Sequence, residues 1–176
     1  SKTNFFDWLK NNSKRLLINR DLNLLKKAIV ESCKIKLNFV NKDIHERNIR
    51  MILNFGHTFA HAIEAQNNYS KRINHGEAVS MGMMMAVRLS YIKKLCSLNT
   101  LNQLKQIYSS NNLKYDIKKY FKKNEYNKIV DYMNADKKNN DKKINLILLK
   151  KIGQTTQPNM YKISNIELKR VFNKII

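Results

Sequence analysis

Apolar residues recur every three or four positions along most of this chain, a spacing typical of amphipathic α-helices. The polar segments between them are short, and Asp21 stands where it can cap the second apolar segment. The pattern predicts helices over residues 4–17, 21–41, 46–66, 76–96, 99–110 and 125–135. We therefore expect a mainly α-helical protein with short connections.

The last quarter of the chain has a different pattern. After the polar run "NADKKNNDKK", the apolar run "INLILLKK" begins at Ile144 and suits a β-strand, "GQTTQPN" suits a turn, and "MYKIS" suits a returning strand. The segment "NIELKRVFNKII" then predicts a closing helix. We expect a small β-hairpin near residues 144–163, within a single multi-helix domain that spans residues 1–176 because no repeat or linker divides it.

The helix predicted over residues 46–66 has an unusual polar face. In "RMILNFGHTFAHAIE", Arg50, Asn54, His57, His61 and Glu64 follow one another at spacings of four, three, four and three. On an α-helix these positions fall within an arc of about 80°. An ordinary solvated face in so lysine-rich a chain would carry lysine, and this one carries none. The pattern indicates side chains directed at a ligand.

A second histidine-bearing segment follows after a short polar loop. In "HGEAVSMGMMMAVRLS", His75 precedes a predicted helix, so its imidazole can face that of His57 across a cleft between two helices. Neutral imidazole suits Zn²⁺, and a catalytic zinc keeps three protein ligands and one open position. The spacing alone leaves two interpretations open, a metal site or histidines that are simply exposed or hydrogen-bonded in the core. His45, in a polar loop, is expected to be exposed.

A net charge of +21 raises the possibility of a nucleic-acid or anionic membrane surface. The 27 lysines are dispersed along the chain, whereas arginine, the preferred reader of bases and phosphates, occurs only seven times. No nucleic-acid-binding motif is present. We therefore expect a solvated surface with no nucleic-acid or membrane partner, and a basic RNA-binding module remains the alternative.

The cysteines and the N-terminal segment help to predict the cellular compartment of the protein. Cys33 and Cys96 lie in apolar helical patterns without a CxxC partner, so we expect buried thiols in a reducing environment. The sequence contains no apolar run of about 18 residues and no signal-peptide core, which predicts a soluble cytoplasmic protein. With four glycines, the chain also lacks a glycine-rich phosphate loop.

The two histidine segments together resemble the signature of 3-dehydroquinate synthases, in the C-terminal helical domain of that family. "FFDWLKNN" and "MNADKKNNDKKINLILLKKIG" resemble the flanking segments of the same domain, so the resemblance covers nearly the whole chain. It implies a phosphorus–oxygen lyase that converts 3-deoxy-D-arabino-heptulosonate 7-phosphate to 3-dehydroquinate and phosphate in the shikimate pathway. The implied cofactors are Zn²⁺, or another divalent metal, and NAD. Another sugar-phosphate cyclase or a metal-dependent alcohol dehydrogenase of the same architecture is the nearest alternative.

The resemblance also implies roles for individual side chains. His57 and His75 match metal ligands, and His61 and Glu46 match catalytic positions. The residues that match substrate-binding positions are Lys36, Arg50, Asn54 and one of the pair Lys137 and Lys138.

Two parts of the family's active site have no counterpart in this sequence. The third zinc ligand, a glutamate, and the NAD-binding domain both precede the region that this chain resembles. We therefore expect a C-terminal domain, or a domain-sized fragment, that is inactive alone and needs an N-terminal NAD-binding domain as its partner. The resemblance further implies that the full enzyme is a homodimer. Glu77 or His61 could act as the third ligand only if the geometry allowed it.

Overall fold

The computed structural model describes residues 2–135 and 143–176. The predicted mainly helical fold is confirmed, with the α-helices α1 Lys2–Leu17, α2 Leu22–Lys42, α3 His57–Gln66, α4 His75–Ile92, α5 Leu98–Ser110, α6 Tyr126–Ala135 and α7 Asn165–Ile175. Short 3₁₀ helices cover Ile49–Asn54, Ile117–Lys119 and Lys123–Glu125. The strands are β1 Lys143–Asn145, β2 Leu149–Lys151, β3 Gln154–Thr155 and β4 Lys162–Ser164.

Helices α3 and α4 form the centre of the molecule. Their core residues, among them Phe59, Ile63, Met81 and Met85, are almost completely buried. The core continues into α6, which packs against α3, into α7, which packs against α4 and α6, and into the strand pair β1–β4. Helix α1 packs against α2 and α5, and α2 packs against the 3₁₀ helix Ile49–Asn54. The buried centre thus fixes α3 and α4, which carry the histidines, in place.

Two glycines allow α3 and α4 to approach closely. A Cβ atom on Gly82 would lie 2.2 Å from the carbonyl oxygen of Gly56 and 2.9 Å from the backbone nitrogen of Ala60. Real Cβ atoms do not approach other atoms so closely, so any side chain at residue 82 would force the helices apart. Because Gly56 meets Gly82 while Glu64 meets His75, the two helices run antiparallel.

The predicted helix over residues 46–66 is wrong in its first part. Glu46 has a left-handed φ of 53°, Ile49–Asn54 is a 3₁₀ helix, and Gly56 has a φ of 83°. Such backbone angles interrupt an α-helix, and glycine accepts them without steric strain. The α-helix therefore begins only at His57, and the continuous polar face predicted from residue 50 to residue 64 is divided in two.

A carboxylate supplies a second reason for this break. The side chain of Asp43 accepts hydrogen bonds from the backbone N–H groups of Arg47, Asn48 and Arg50, at 2.7–3.1 Å. Backbone donors held in this way are not available to a regular helix that would begin near Glu46. The loop after α2 is thus held in an irregular conformation by three hydrogen bonds to one carboxylate.

The predicted hairpin near residues 144–163 is present as two successive antiparallel strand pairs. In the outer pair, β1 and β4 place Ile144 opposite Ile163, and in the inner pair β2 and β3 place Leu149 opposite Thr155. Residues 146–148 between them are all buried, so they cannot alternate sides as a regular strand requires. One long strand is therefore replaced by two short ones.

The prediction that both cysteines are buried is confirmed for Cys96 and wrong for Cys33, which is exposed on α2. Neighbouring apolar side chains on α2, including Ile29 and Leu37, are exposed as well. In the part of the chain that the structure describes, no helix combines the length and the apolar character needed to cross a membrane.

Candidate metal and substrate site

An open depression of about 440 Å³ lies between α2, the 3₁₀ helix Ile49–Asn54 and the first residue of α3. It brings together five residues that the sequence singled out, from α2, the loop that follows it, the 3₁₀ helix and α3. Its lining consists of Ser32, Ile35, Lys36, Glu46, Arg50, Leu53, Asn54 and His57. Basic, acidic and amide groups thus share one concave surface with a histidine, an arrangement suited to a small polar anion.

Glu46 organises the polar groups of this depression. Its Oε1 accepts a hydrogen bond of 2.7 Å from the side-chain amide of Asn54, and its Oε2 lies 3.8 Å from Nε of Arg50. The Arg50 guanidinium is held from the other side, because its Nη1 donates to the carbonyl oxygen of Ile44 at 2.8 Å. The irregular loop therefore does what the predicted helix was expected to do, since it holds Glu46, Arg50 and Asn54 together.

Three imidazoles lie side by side next to this depression. The ring centroid of His57 is 5.9 Å from that of His61 and 5.8 Å from that of His75, and the centroids of His61 and His75 are 6.4 Å apart. His57 lies on the depression itself, so the imidazole cluster adjoins the polar groups of the depression through this residue. His45 is exposed, as predicted.

The hydrogen bonds of two of these rings define their tautomers. Nδ1 of His57 lies 3.4 Å from the carbonyl oxygen of Phe55, and Nδ1 of His75 lies 2.9 Å from Oε1 of Glu64. Carbonyl and carboxylate oxygens accept hydrogen bonds, so in the neutral form of each ring Nδ1 carries the proton and Nε2 has the free lone pair. A free Nε2 lone pair is what a metal ligand requires.

Burial keeps His57 in the form that can bind a metal. Desolvation of its half-buried ring lowers its pKa below the ordinary value, and positive charge on His61 or His75 lowers the pKa further. The hydrogen bond to Phe55 acts in the opposite direction and is outweighed. The imidazole is therefore neutral at neutral pH, as coordination of Zn²⁺ requires.

The described residues do not form a complete metal site by themselves. Among residues 2–135 and 143–176, no three His, Cys, Asp or Glu side chains converge on one position where an ion could bind. Glu77 is directed elsewhere, because its carboxylate forms an ion pair of 2.6 Å with Lys114 and accepts from the backbone N–H of Asn74. The Lys114 ammonium holds the pKa of Glu77 below its ordinary value. His57 and His75, with ring centroids 5.8 Å apart, are therefore two neighbouring imidazoles without a third such donor converging on them among the described residues.

Two predicted site residues, Lys137 and Lys138, lie outside the described residues.

One contact was missed by sequence reasoning, which gave Glu64 no partner. Its spacing of seven residues from His57 was the available signal, because that spacing returns to the same face of a helix. The partner itself, His75, comes from another helix, and only the packing of α3 against α4 brings them together.

Sequence comparison connects this site to a known family. A family profile described as "3-dehydroquinate synthase C-terminal" matches residues 1–139. The 3-dehydroquinate synthase of Pelagibacter ubique is 41% identical over 172 residues, which cover 97% of this chain and 46% of the relative. That of Dictyoglomus thermophilum is 41% identical over 149 residues, 85% of this chain and 40% of the relative. The chain spans less than half the length of these curated relatives.

Structural comparison gives the same architecture. A 2-epi-5-epi-valiolone synthase from Streptomyces hygroscopicus, solved with NAD⁺ and Zn²⁺ bound, superposes with a TM-score of 0.72 at 18% identity, over 98% of this chain and 46% of that one. A 2-deoxy-scyllo-inosose synthase, solved with carbaglucose-6-phosphate, NAD⁺ and Co²⁺, gives a TM-score of 0.68 at 23% identity, over 85% and 40% of the two chains. At these identities the likeness concerns the fold alone. By its match to the C-terminal profile and to relatives across nearly all its length, the chain belongs to the 3-dehydroquinate synthase family.

Proposed function

We propose that this chain forms the C-terminal part of a 3-dehydroquinate synthase, a lyase that converts 3-deoxy-D-arabino-heptulosonate 7-phosphate to 3-dehydroquinate and phosphate. The observation that carries the proposal is the convergence of Lys36, Glu46, Arg50 and Asn54 beside His57. The printed names of the relatives, at 41% identity, support the same activity. On this proposal the chain serves the shikimate pathway and aromatic amino-acid biosynthesis.

The depression supplies groups that suit a polyhydroxylated acid phosphate. Lys36 and Arg50 provide positive charge for its anionic groups, and the planar guanidinium of Arg50 can form two parallel hydrogen bonds to one carboxylate. Asn54 offers an amide that Glu46 holds in a fixed orientation at 2.7 Å. Lys137 or Lys138 is proposed to contribute a further contact to the phosphate.

Glu46 and His61 are proposed to move protons at the bound substrate. The Glu46 carboxylate lies in the depression, 3.8 Å from Arg50, and can accept a proton from a substrate hydroxyl. His61 lies one helical turn from His57 on α3, with its ring 5.9 Å from the His57 ring. Both groups therefore border the position where a substrate held by Arg50 and Asn54 would lie.

His57 and His75 are proposed to bind a divalent cation through Nε2. When bound, the cation would polarise adjacent substrate hydroxyls, and NAD⁺ would supply a reversible hydride acceptor. The Zn²⁺, Co²⁺ and NAD⁺ found in the two cyclase structures support this choice of cofactors. Because this chain spans less than half of its relatives, the third ligand and the NAD-binding domain are proposed to come from a region equivalent to their N-terminal portion.

A chimeric enzyme tests the proposal. In it, this chain replaces the matching 46% of the Pelagibacter ubique relative, and the relative supplies the remainder. Incubated with the heptulosonate phosphate, NAD⁺ and Zn²⁺, the chimera is expected to release phosphate without accumulating NADH, and His57→Ala is expected to abolish the release. Net NADH formation would indicate a dehydrogenase instead, and phosphate release from other sugar phosphates alone would indicate a different cyclase.

A further inference from the structure

We propose that Glu64 is a positioning residue for His75: its carboxylate accepts the Nδ1–H bond of that imidazole and thereby directs Nε2 toward His57 and a bound metal ion. This inference rests on the metal site of the proposed function. It assigns a role to a residue that does not itself bind the metal ion.

The burial of the two partners is unequal, and this gives the contact its direction. The side chain of Glu64 is 15% exposed and that of His75 is 60% exposed. A carboxylate so far from solvent is fixed by the packing of α3, whereas an imidazole on the surface can rotate about two bonds. The carboxylate therefore sets the orientation of the ring, and the ring does not set that of the carboxylate.

The position of His75 explains why such a contact is needed. His75 is the first residue of α4, and its backbone is fixed by the capping box that Asn74 and Glu77 form. Capping defines the direction of the Cα–Cβ bond but leaves the ring free to present either nitrogen. The bond of 2.9 Å to Glu64 selects the tautomer with the proton on Nδ1.

His57 shows the same arrangement with a different acceptor. Its Nδ1 faces the carbonyl oxygen of Phe55 at 3.4 Å, and its ring lies 5.8 Å from that of His75. Both imidazoles thus have Nδ1 next to an oxygen acceptor, so both keep Nε2 for another partner. The Glu64 carboxylate, at 2.9 Å, is the closer of the two acceptors, so it constrains the orientation of its imidazole more tightly.

A purely structural interpretation makes different predictions. If Glu64 only links α3 to α4, its replacement would lower stability and leave the tautomer of His75 unchanged. If Glu64 only contributes negative charge near a cation, any nearby carboxylate would have the same effect. The experiment is therefore built to separate orientation from stability and from charge.

The test compares Glu64→Gln and Glu64→Ala with wild type in the full 176-residue chain. Long-range ¹H–¹⁵N NMR at pH 7.5 on the metal-free protein reports the tautomer of His75, and calorimetric titration reports the affinity for Zn²⁺. We expect a predominantly Nδ1–H tautomer in wild type and a mixture in Glu64→Ala. Zinc affinity is expected to fall about 10- to 100-fold in Glu64→Ala, and less in Glu64→Gln, whose amide oxygen can still accept.

Glu77→Gln is the matched control. It removes the same charge close to His75, glutamine can still complete the capping box with Asn74, and the native Glu77 carboxylate faces Lys114 and not the histidines. We expect its zinc affinity to change by no more than about threefold, because screening by water and salt weakens interactions at a distance. An equal loss in Glu77→Gln and Glu64→Gln would overturn the proposal in favour of a general effect of charge.

The remaining outcomes separate this proposal from the proposed function. An unchanged His75 tautomer in Glu64→Ala, with or without lower thermal stability, would overturn the positioning role. If Glu64→Ala does not fold, Glu64→Leu keeps most of the side-chain volume without an oxygen acceptor and gives the same readouts. If wild type binds no Zn²⁺, the proposed metal site fails, whereas the tautomer measured without metal still decides the role of Glu64.

Discussion

The Arg50 guanidinium is held in the depression by one hydrogen bond, to the carbonyl oxygen of Ile44, and lies 3.8 Å from the Glu46 carboxylate. These contacts fix the side chain without burying it in the core, so its replacement is expected to affect ligand binding more than stability. In the chimeric enzyme, Arg50→Lys keeps the charge but loses the planar fork. We expect kcat/KM for the heptulosonate phosphate to fall about tenfold or more, with a nearly unchanged melting temperature.

Steady-state kinetics and thermal unfolding of the same preparation check this prediction. Lys36→Arg is a useful companion, because it also exchanges one cation for another in the same depression. A large drop in melting temperature with normal kinetics in the folded fraction would show that Arg50 has a structural role.

The cysteines show what residue patterns can and cannot predict at this scale. Apolar spacing placed both cysteines in helices, but Cys96 lies after the end of α4 and is buried, whereas Cys33 lies on α2 and is exposed. Periodicity identifies an apolar face and says nothing about what packs on it. The exposed Ile29 and Leu37, near Cys33 on α2, illustrate the same limit.

Among the elements, the contact between α3 and α4 determines the spacing of the histidines. Gly82→Ala would place a Cβ atom 2.2 Å from the carbonyl oxygen of Gly56, so the helices must separate. We expect a loss of about 1–3 kcal/mol in the free energy of unfolding, the range for overpacked cores, and weaker zinc binding because His57 and His75 move apart. Chemical denaturation and calorimetric zinc titration measure the two effects.

Gly76→Ala is the matched control for this prediction. A Cβ atom at Gly76 would meet only the Asn74 side chain, at an ordinary distance of 3.5 Å, and alanine is the better helix former. We expect this variant to be as stable as wild type or slightly more stable. Equal destabilisation by Gly76→Ala and Gly82→Ala would contradict the close-approach explanation.

The sequence predicted most helices of this fold, and its main error was the continuous helix over residues 46–66. Hydrophobic spacing could not reveal that Asp43 caps three backbone N–H groups or that Gly56 takes a left-handed conformation. Both depend on how the loop folds back on α2. Arg50, Asn54 and His57 still come together, because the depression is formed by tertiary contacts and not by one helical face.

At the scale of the whole molecule, the net charge of +21 is expected to be spread over a solvated surface that has no specific anionic partner. We predict weak binding to single-stranded RNA and to heparin at low salt, without sequence preference, that largely disappears near physiological ionic strength. Fluorescence anisotropy with labelled oligonucleotides measures the RNA affinity. The salt concentration is varied between about 20 and 200 mM, the range over which screening changes most. Tight, sequence-selective RNA binding at about 0.15 M salt would contradict the prediction and favour an RNA-binding module.

The central claim is that this chain carries two ligands of a metal site that another part of the enzyme completes. Calorimetric zinc titration tests it most directly, with the isolated 176-residue chain and with the chimera that contains the N-terminal portion of the Pelagibacter ubique relative. We predict measurable but weak binding to the isolated chain, much tighter binding to the chimera, and loss of both in His57→Ala. Tight stoichiometric binding by the isolated chain that survives His57→Ala would contradict the account.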